Sequence, residues 1–482
     1  MPSGRDLAEA HSFGRRRLVS AFLSGTPAGC GPEPARTGRA HLFDATLAVL
    51  LVAGSAVAGL LSPKDPAGWT DPGLVVSRET GAAYVVLELS DHPVLRPVAN
   101  ITSARLALDS GVDPTPRVVS QAGIDAETVG DELGIPGAPA SLPASSLLVP
   151  SGWTACTGDG GGLRVAVSED AAVRLVPDDG FVVESRGVDY LVAEGVDENG
   201  AALGAHRYAL PPASARGGSD QDNLLDALGL PSRAGATRVP ATWLRLFPDG
   251  GDLDWASFRI SGFGDPAPSA GSLGLPADAR VGDVLTAGSE SFLLTGTSVE
   301  KLSDFALAVY RNSPTPTGSL GAAPRRGDQP VEIRVEGPPH VGRARPAYAA
   351  ARWPAGTLRD PGGDRCAVLE TAPGVAPTVG IATAATGPAS PAELRAGRRS
   401  VAVGSGRGAY VLSGGWTDTD RGSPVVVDGQ GRRHALVGPH VAERLGYSHY
   451  PVSVVPGSWL ALFDPGVDLS VDAALCGAGP AC

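Results

Sequence analysis

The run from Ala45 to Leu61 holds 17 residues without a charge, and it limits what the rest of the chain can become. Leu42 and Phe43 lengthen it to 20 positions, broken only by Asp44, and Pro63 closes it. A helix of that length rises ~25–30 Å, about the thickness of a bilayer's hydrocarbon core. Within lipid such a segment satisfies its own backbone only as a helix, so the sequence predicts a single transmembrane helix over residues 42–62.

The flanks orient it. Arg5, Arg15, Arg16, Arg17, Arg36 and Arg39 precede the span, whereas Asp65, Asp71, Glu79, Glu88 and Asp91 dominate the residues after it. Positive charge stays in the cytoplasm, which puts the N-terminus inside and about 420 residues outside. A cleaved signal peptide is the rival, because Ala56-Val57-Ala58 resembles a cleavage site; the 41 residues ahead of the span are long for one. Gly54 and Ala58 lie four apart, as do Ser55 and Gly59, the spacing at which small residues let a second helix approach closely. The general richness of the chain in Ala and Gly accounts for the same letters without a function.

Residues 5–24 can form a basic amphipathic helix, with Leu18, Val19, Phe22 and Leu23 beside Arg15–Arg17, suited to the inner leaflet or a cytoplasmic partner. An ordinary positive flank reads the same way. Beyond the span, 65 Gly and 43 Pro interleaved with Val-rich runs favour short strands and tight turns over helix bundles. The net charge of −12 argues against nucleic acid as a partner.

The outer chain repeats itself. Trp243-Leu-Arg-Leu-Phe247 and Trp459-Leu-Ala-Leu-Phe463 each follow a Leu-Gly turn, Leu228-Gly229 and Leu445-Gly446, with a weaker third copy of the turn at Leu133-Gly134. Strands opening on Tyr84, Tyr190, Phe292 and Tyr410 lie 106, 102 and 118 residues apart. Four degenerate strand–helix–strand units follow from this, each too small to bury its apolar face alone. Another set of strands, at 151–156, 163–167, Val331–Val335, Tyr348–Trp353 and Cys366–Leu369, suggests a central domain interrupted by two of the units. The expected architecture is α+β and β-rich, an elongated outer region of four repeats around a discontinuous central domain. Its parts are a cytoplasmic segment 1–41, the span 42–62, repeats at 63–140, 178–254, 255–324 and 396–472, the central domain at 141–177 and 325–395, and a tail 473–482.

The sequence presents no catalytic set, cofactor site or metal site. A phosphate-binding loop needs Gly-Lys before Ser or Thr, but the two lysines stand in Pro63-Lys64 and Glu300-Lys301. Gly158–Gly162 and Gly404–Gly408 lack the strand-to-helix setting of a dinucleotide fingerprint and read as turns. Asp420-Arg421-Gly422-Ser423-Pro424-Val425 is similar to a serine-protease run, with Arg421 where the nucleophile would stand, so it reads as a hairpin turn. His434, His440 and His449 have spacings that put no pair on one helix face. Cys30 is cytoplasmic, while Cys156, Cys366, Cys476 and Cys482 lie outside, where disulfides persist and four cysteines allow three pairings.

One succession of motifs is specific: Arg5-Asp-Leu-Ala-Glu-Ala-His-Ser-Phe-Gly-Arg-Arg-Arg-Leu, the anchor, Gly81-Ala-Ala-Tyr84, His92-Pro-Val, Asn100-Ile-Thr-Ser-Ala-Arg-Leu106, Leu133-Gly-Ile-Pro136, Gly152-Trp-Thr-Ala-Cys156 and the Trp-Leu repeats. Over essentially its whole length the chain resembles EccB, a core membrane component of type VII (ESX) secretion systems. The resemblance implies a single-pass inner-membrane scaffold with a periplasmic region, repeats similar to a cell-wall-binding fold of phage lysins, self-association, and assembly with EccC, EccD and EccE. It maps the family's central disulfide onto Cys156 and Cys366; Cys476 and Cys482, six apart, can close a second, small loop. Family members are sometimes labelled ATPases, so hydrolysis and cell-wall binding stand as alternatives to the scaffold role.

Overall fold

A computed structural model describes residues 65–477 except 170–171, 212–218, 269, 273, 314–330, 338, 340–345 and 385–393. The chain divides into two compact units, Met1–Pro66 and Ala67–Cys482. The expected span 42–62, with Gly54, Ser55, Ala58 and Gly59, lies outside the described residues, as do Cys30 and Cys482. Among the described residues no helix is long and apolar enough to cross a membrane.

The second unit is mixed α+β and dominated by five sheets. The first outer sheet comprises β1 (Gly73–Ser77), β2 (Ala83–Val86), β3 (Val94–Pro97), β4 (Arg117–Val119) and β5 (Thr128–Val129), in the order β4-β1-β2-β3-β5. Its β1 is Gly-Leu-Val-Val-Ser, buried at all five positions, and β-branched residues suit such a two-sided strand. Strands β1 to β3 form an antiparallel meander, and β4 adds in parallel to β1. Between β3 and β4 runs α1 (Ile101–Ala107), and α2 (Gln121–Asp125) follows β4. The Asn100-Ile-Thr-Ser run is therefore a capped helix start: the Asn100 side chain accepts from the Ser103 N–H at 2.7 Å and donates to the Ile135 carbonyl at 3.2 Å.

Three strands of the central sheet come next, β6 (Trp153–Thr157), β7 (Leu163–Val167) and β8 (Val173–Leu175). The second outer sheet contains β9 (Gly180–Ser185), β10 (Val188–Val196), β11 (Ala202–Ala209) and β12 (Thr237–Arg238), with α3 (Ser219–Ala227) before β12 and α4 (Ala241–Leu244) after it. The third contains β13 (Val284–Ala287), β14 (Glu290–Leu294), β15 (Val299–Leu302) and β16 (Glu332–Arg334), with α5 (Asp304–Asn312) before β16. The chain then returns to the central sheet with β17 (Arg365–Ala372), β18 (Val375–Ala384) and β19 (Arg399–Val403). Last is the fourth outer sheet, β20 (Ala409–Gly414), β21 (Ser423–Val427), β22 (Arg432–Ala435), β23 (Ser453–Pro456) and β24 (Asp464–Pro465), with α6 (Val441–Arg444), α7 (Gly457–Leu460) and a closing α8 (Val471–Leu475).

All four outer sheets share one order of events: a three-stranded antiparallel meander, a helix, then a strand that adds in parallel to the first strand of the meander. The central sheet is ordered β19-β7-β6-β17-β18-β8. Several expectations change here. Val331–Val335, expected in the central domain, supplies β16, parallel to Val284–Thr286 of the third sheet. Tyr348–Trp353, expected as a strand, overlaps a 3-10 helix, Ala347–Ala351, whose alanine-rich composition favours helical turns. Residues 399–403, expected in the last repeat, pair with β7.

Apolar burial ties the sheets together. One core joins the central sheet to the second and fourth outer sheets through Trp153, Phe181, Trp243, Phe247, Trp459 and Phe463. A second joins the second and third sheets through Leu224, Leu225 and Leu228 packed with Phe305, Ala306 and Val309. A third joins the first and fourth through Leu106, Ile135, Tyr410, Leu445 and Tyr447.

Candidate functional site

The features that hold this protein together lie within the central sheet and at the junctions between sheets. In the central sheet Cys156 of β6 stands opposite Cys366 of β17 in antiparallel register, and the two form a disulfide. Their Cα atoms are 4.0 Å apart, closer than the usual ~4.4–6.8 Å. The bond closes 210 residues of chain, within which the second and third outer sheets lie. Cys366 is fully buried, and Ala382 packs with the pair. Cys476 is also disulfide-bonded.

The two Trp-Leu-x-Leu-Phe runs begin in the last turns of α4 and α7, short helices that each follow the added parallel strand. Both tryptophans are fully buried, so each indole N–H needs an acceptor. Trp243 donates to the Ala155 carbonyl of β6 at 2.9 Å, and Trp459 to the Leu246 carbonyl just past α4 at 3.2 Å. Phe463 meets the Trp153 ring edge-on, with centroids 5.4 Å apart. The fourth sheet thus rests on the second sheet's helix, and that helix on the central sheet.

A second junction pairs α1 with α6, which occupy the same place in the first and fourth sheets. Arg444 donates to the carbonyls of Leu106 and Ala107 at 2.8 and 3.3 Å and pairs with Asp109 at 2.9 Å. Arg105 in turn donates to the Leu445 carbonyl at the end of α6. Each helix thereby satisfies the orphan carbonyls and negative end of the other. Arg105 stands inside the Asn-Ile-Thr-Ser-Ala-Arg-Leu run; a basic residue in a last helical turn was the available signal, but not its partner.

Two buried histidines occupy third strands. His206 faces the Gly204 carbonyl at 2.9 Å through Nδ1, while Arg352 approaches Nε2 at 3.5 Å. Burial, with Arg352 adding to it, holds its pKa below the ordinary imidazole value against the Gly204 hydrogen bond. His434 faces the Val467 carbonyl at 2.9 Å and the Asp428 carboxylate at 3.3 Å. Burial raises the Asp428 carboxyl, but hydrogen bonds from His434, Arg432 and Gln430 outweigh it and hold the group below the usual carboxylate range. His440 pairs with Glu443 at 2.9 Å on the surface. Among the described residues no group of three or more His, Cys, Asp or Glu is placed to hold a metal.

Residues 421–422 lie in the β20–β21 hairpin, where Ser413 pairs with Ser423. Lys301 is bound to Glu290 at 2.5 Å. Where the central, second and fourth sheets meet there is a cleft of about 830 Å³ lined by Arg238, Arg398, Arg399 and Asp464 among others.

These features define a β-rich α+β protein in which buried indoles and an arginine clasp join one sheet to another. Residues 2–479 match the family described as Type VII secretion system ESX-1, transport TM domain B, and the chain belongs to this EccB family. It is 26% identical over 475 residues to a Mycobacterium tuberculosis (strain CDC 1551 / Oshkosh) protein named ESX-3 secretion system ATPase EccB3, covering 91% of this chain and 83% of that one. It is 28% identical over 265 residues to the ESX-1 secretion system ATPase EccB1 of Mycolicibacterium smegmatis (strain MKD8), covering 52% of this chain and about half, 49%, of the relative. The fold is similar to a chain of the EccB3 dimer from an ESX-3 core complex, with TM-score 0.59, 24% identity and coverage of 84% of this chain and 99% of that one. It is also similar to a chain of an intact ESX-5 inner membrane complex, with TM-score 0.59, 20% identity and coverage of 100% and 97%.

Proposed function

We propose that this chain is a structural subunit of a type VII (ESX) secretion complex in the inner membrane. The family match across residues 2–479 carries the reading. Residues 42–62 cross the membrane once, the N-terminal segment stays in the cytoplasm, and the five-sheet body stands outside as four copies of one unit around a central sheet. The face bearing Gly54, Ser55, Ala58 and Gly59 packs on a partner helix. EccC, EccD and EccE are the expected partners, together with further copies of this chain. Deleting the gene and resolving detergent-extracted membranes on native gels tests this. The remaining subunits should fail to migrate as one large species; an unchanged species would sink the proposal.

A second reading follows from the word ATPase in the relatives' names. The sequence opposes it: neither Lys64 nor Lys301 follows glycine, and Lys301 is engaged by Glu290. Purified chain should not turn over ATP above background. Turnover abolished by a point substitution in this chain would establish the enzyme instead.

A further inference from the structure

Three sheets end at one place. β19 is an edge strand of the central sheet, β12 of the second outer sheet and β24 of the fourth. Residues of all three line the same cleft of about 830 Å³: Arg399 and Val401 from β19, Arg238 from β12 and Asp464 from β24. That volume lies in the range of ligand-binding clefts.

The backbone of β19 is open on one side. The Arg398 carbonyl accepts from Leu163 and the Gly404 N–H donates to Val167, so the even-numbered residues face β7. Arg399, Val401 and Val403 therefore turn their N–H and C=O groups away from β7. No backbone hydrogen bond engages those outward groups among the described residues. An edge of this kind is a template for a further strand.

The charge beside it is positive, in a chain whose net charge is −12. Arg398 stands in a turn with Gly397 at φ 77°, is exposed, and has no ion pair among the described residues. Arg238 is 90% exposed and reaches Glu184 at 3.2 Å. Arg399 is held by Asp464. Charged residues at an edge can also serve only to repel other strands. Here, however, the guanidinium groups come from two different sheets and line one concavity, an arrangement suited to carboxylates.

We propose that this cleft binds an extended acidic polypeptide segment, which adds as a strand to the open side of β19 and sets its carboxylates against Arg398 and Arg238. Main-chain hydrogen bonds supply affinity and the arginines supply the charge preference. The inference needs no other subunit of a secretion complex and stands apart from that reading.

The test uses full-length chain in detergent and fluorescence anisotropy. The probe is a labelled octapeptide alternating Val and Glu, compared with a Val/Lys octapeptide and with the Val/Glu sequence N-methylated at alternate residues. The acidic probe should bind at least ~10-fold tighter than the basic one, and N-methylation should remove most of that binding. Arg398→Glu with Arg238→Glu should weaken it ~10-fold or more. Val401→Pro, which deletes an outward N–H but no bond to β7, should do the same. Because proline can also unfold the strand, the two exposed arginine substitutions decide the outcome if that variant is unstable. Equal binding of acidic and basic probes, or acidic binding indifferent to both arginine substitutions, would overturn the proposal. Binding that depends on the arginines but not on N-methylation would show anion capture without strand addition, and would overturn it as well.

Discussion

In the second outer sheet the Trp243 indole donates to Ala155 of the central sheet, whereas in the fourth the Trp459 indole donates to Leu246 of the second sheet's own helix region. The two sheets otherwise carry matching parts: a meander, a helix, an added parallel strand and a Trp-Leu-x-Leu-Phe turn of helix. They differ again at the third strand, where His206 lies between a carbonyl and a guanidinium, and His434 lies between a carbonyl and a carboxylate. A recurring motif determines the local element and the burial of its indole. What the indole or imidazole bonds to depends on which neighbour stands there. The second and fourth sheets therefore share their parts but not their neighbours, and each meets the central sheet, the second through Trp243 and the fourth through Phe463.

The largest effect should come from removing the anchors. Trp243→Ala and Trp459→Ala should each destabilise the body by ~3–5 kcal/mol, from lost burial and a cavity. Because Trp459 leans on the region Trp243 holds, the double variant should be less destabilised than the sum, read from denaturant midpoints. Additivity within ~0.5 kcal/mol would separate the two anchors and break the comparison. Next, replacing Cys156 and Cys366 together by Ala should cost ~2–5 kcal/mol, since the bond closes a loop of 210 residues. Retained stability in reductant, with thiol counting to prove cleavage, would show that the β6–β17 ladder suffices alone.

Arg444→Ala should cost ~1–3 kcal/mol by leaving the Leu106 and Ala107 carbonyls without their donor. Arg105→Ala, with one carbonyl partner, should cost less. Reversal of that order would contradict the reciprocal clasp.

The smallest effect concerns pH and sharpens the histidine contrast. His206 has a folded-state pKa below its unfolded one, so the unfolded chain binds the proton more readily. Stability should be full above ~6.5 and decline as pH falls from there toward the lowered folded value. Asp428, also lowered, contributes above the carboxylate range and is lost only below ~4. A His206→Phe variant should flatten the loss between pH 6.5 and 5 relative to the parent. An unchanged slope would assign that loss to other groups.

Much of the outer body was legible. Paired Trp runs and the Leu-Gly turns mark equivalent places, and Gly229 and Gly446 both follow helices in left-handed conformation, with φ 81° and 80°. Leu133-Gly134 differs: it follows no helix and instead bridges to Val98. The aromatic series also fails in one member, because Tyr84, Tyr190 and Phe292 sit in second strands but Tyr410 in a first. Alternation in a short apolar run marks a strand without saying which sheet it joins. That is why the sequence does not show that 332–334 join the third outer sheet and 399–403 the central sheet, since both pair in parallel with strands distant in sequence. The arginine clasp was illegible for the same reason, its partners lying up to 340 residues away.

Under the proposed reading, this chain is a structural subunit of a membrane secretion complex. Affinity purification of tagged full-length chain from detergent-solubilised membranes, with identification of the co-eluting proteins, tests it most directly. A large species containing EccC, EccD and EccE homologues together with more than one copy of this chain is expected. Elution of the chain alone, as a monomer, from membranes in which those subunits remain assembled with one another would contradict it.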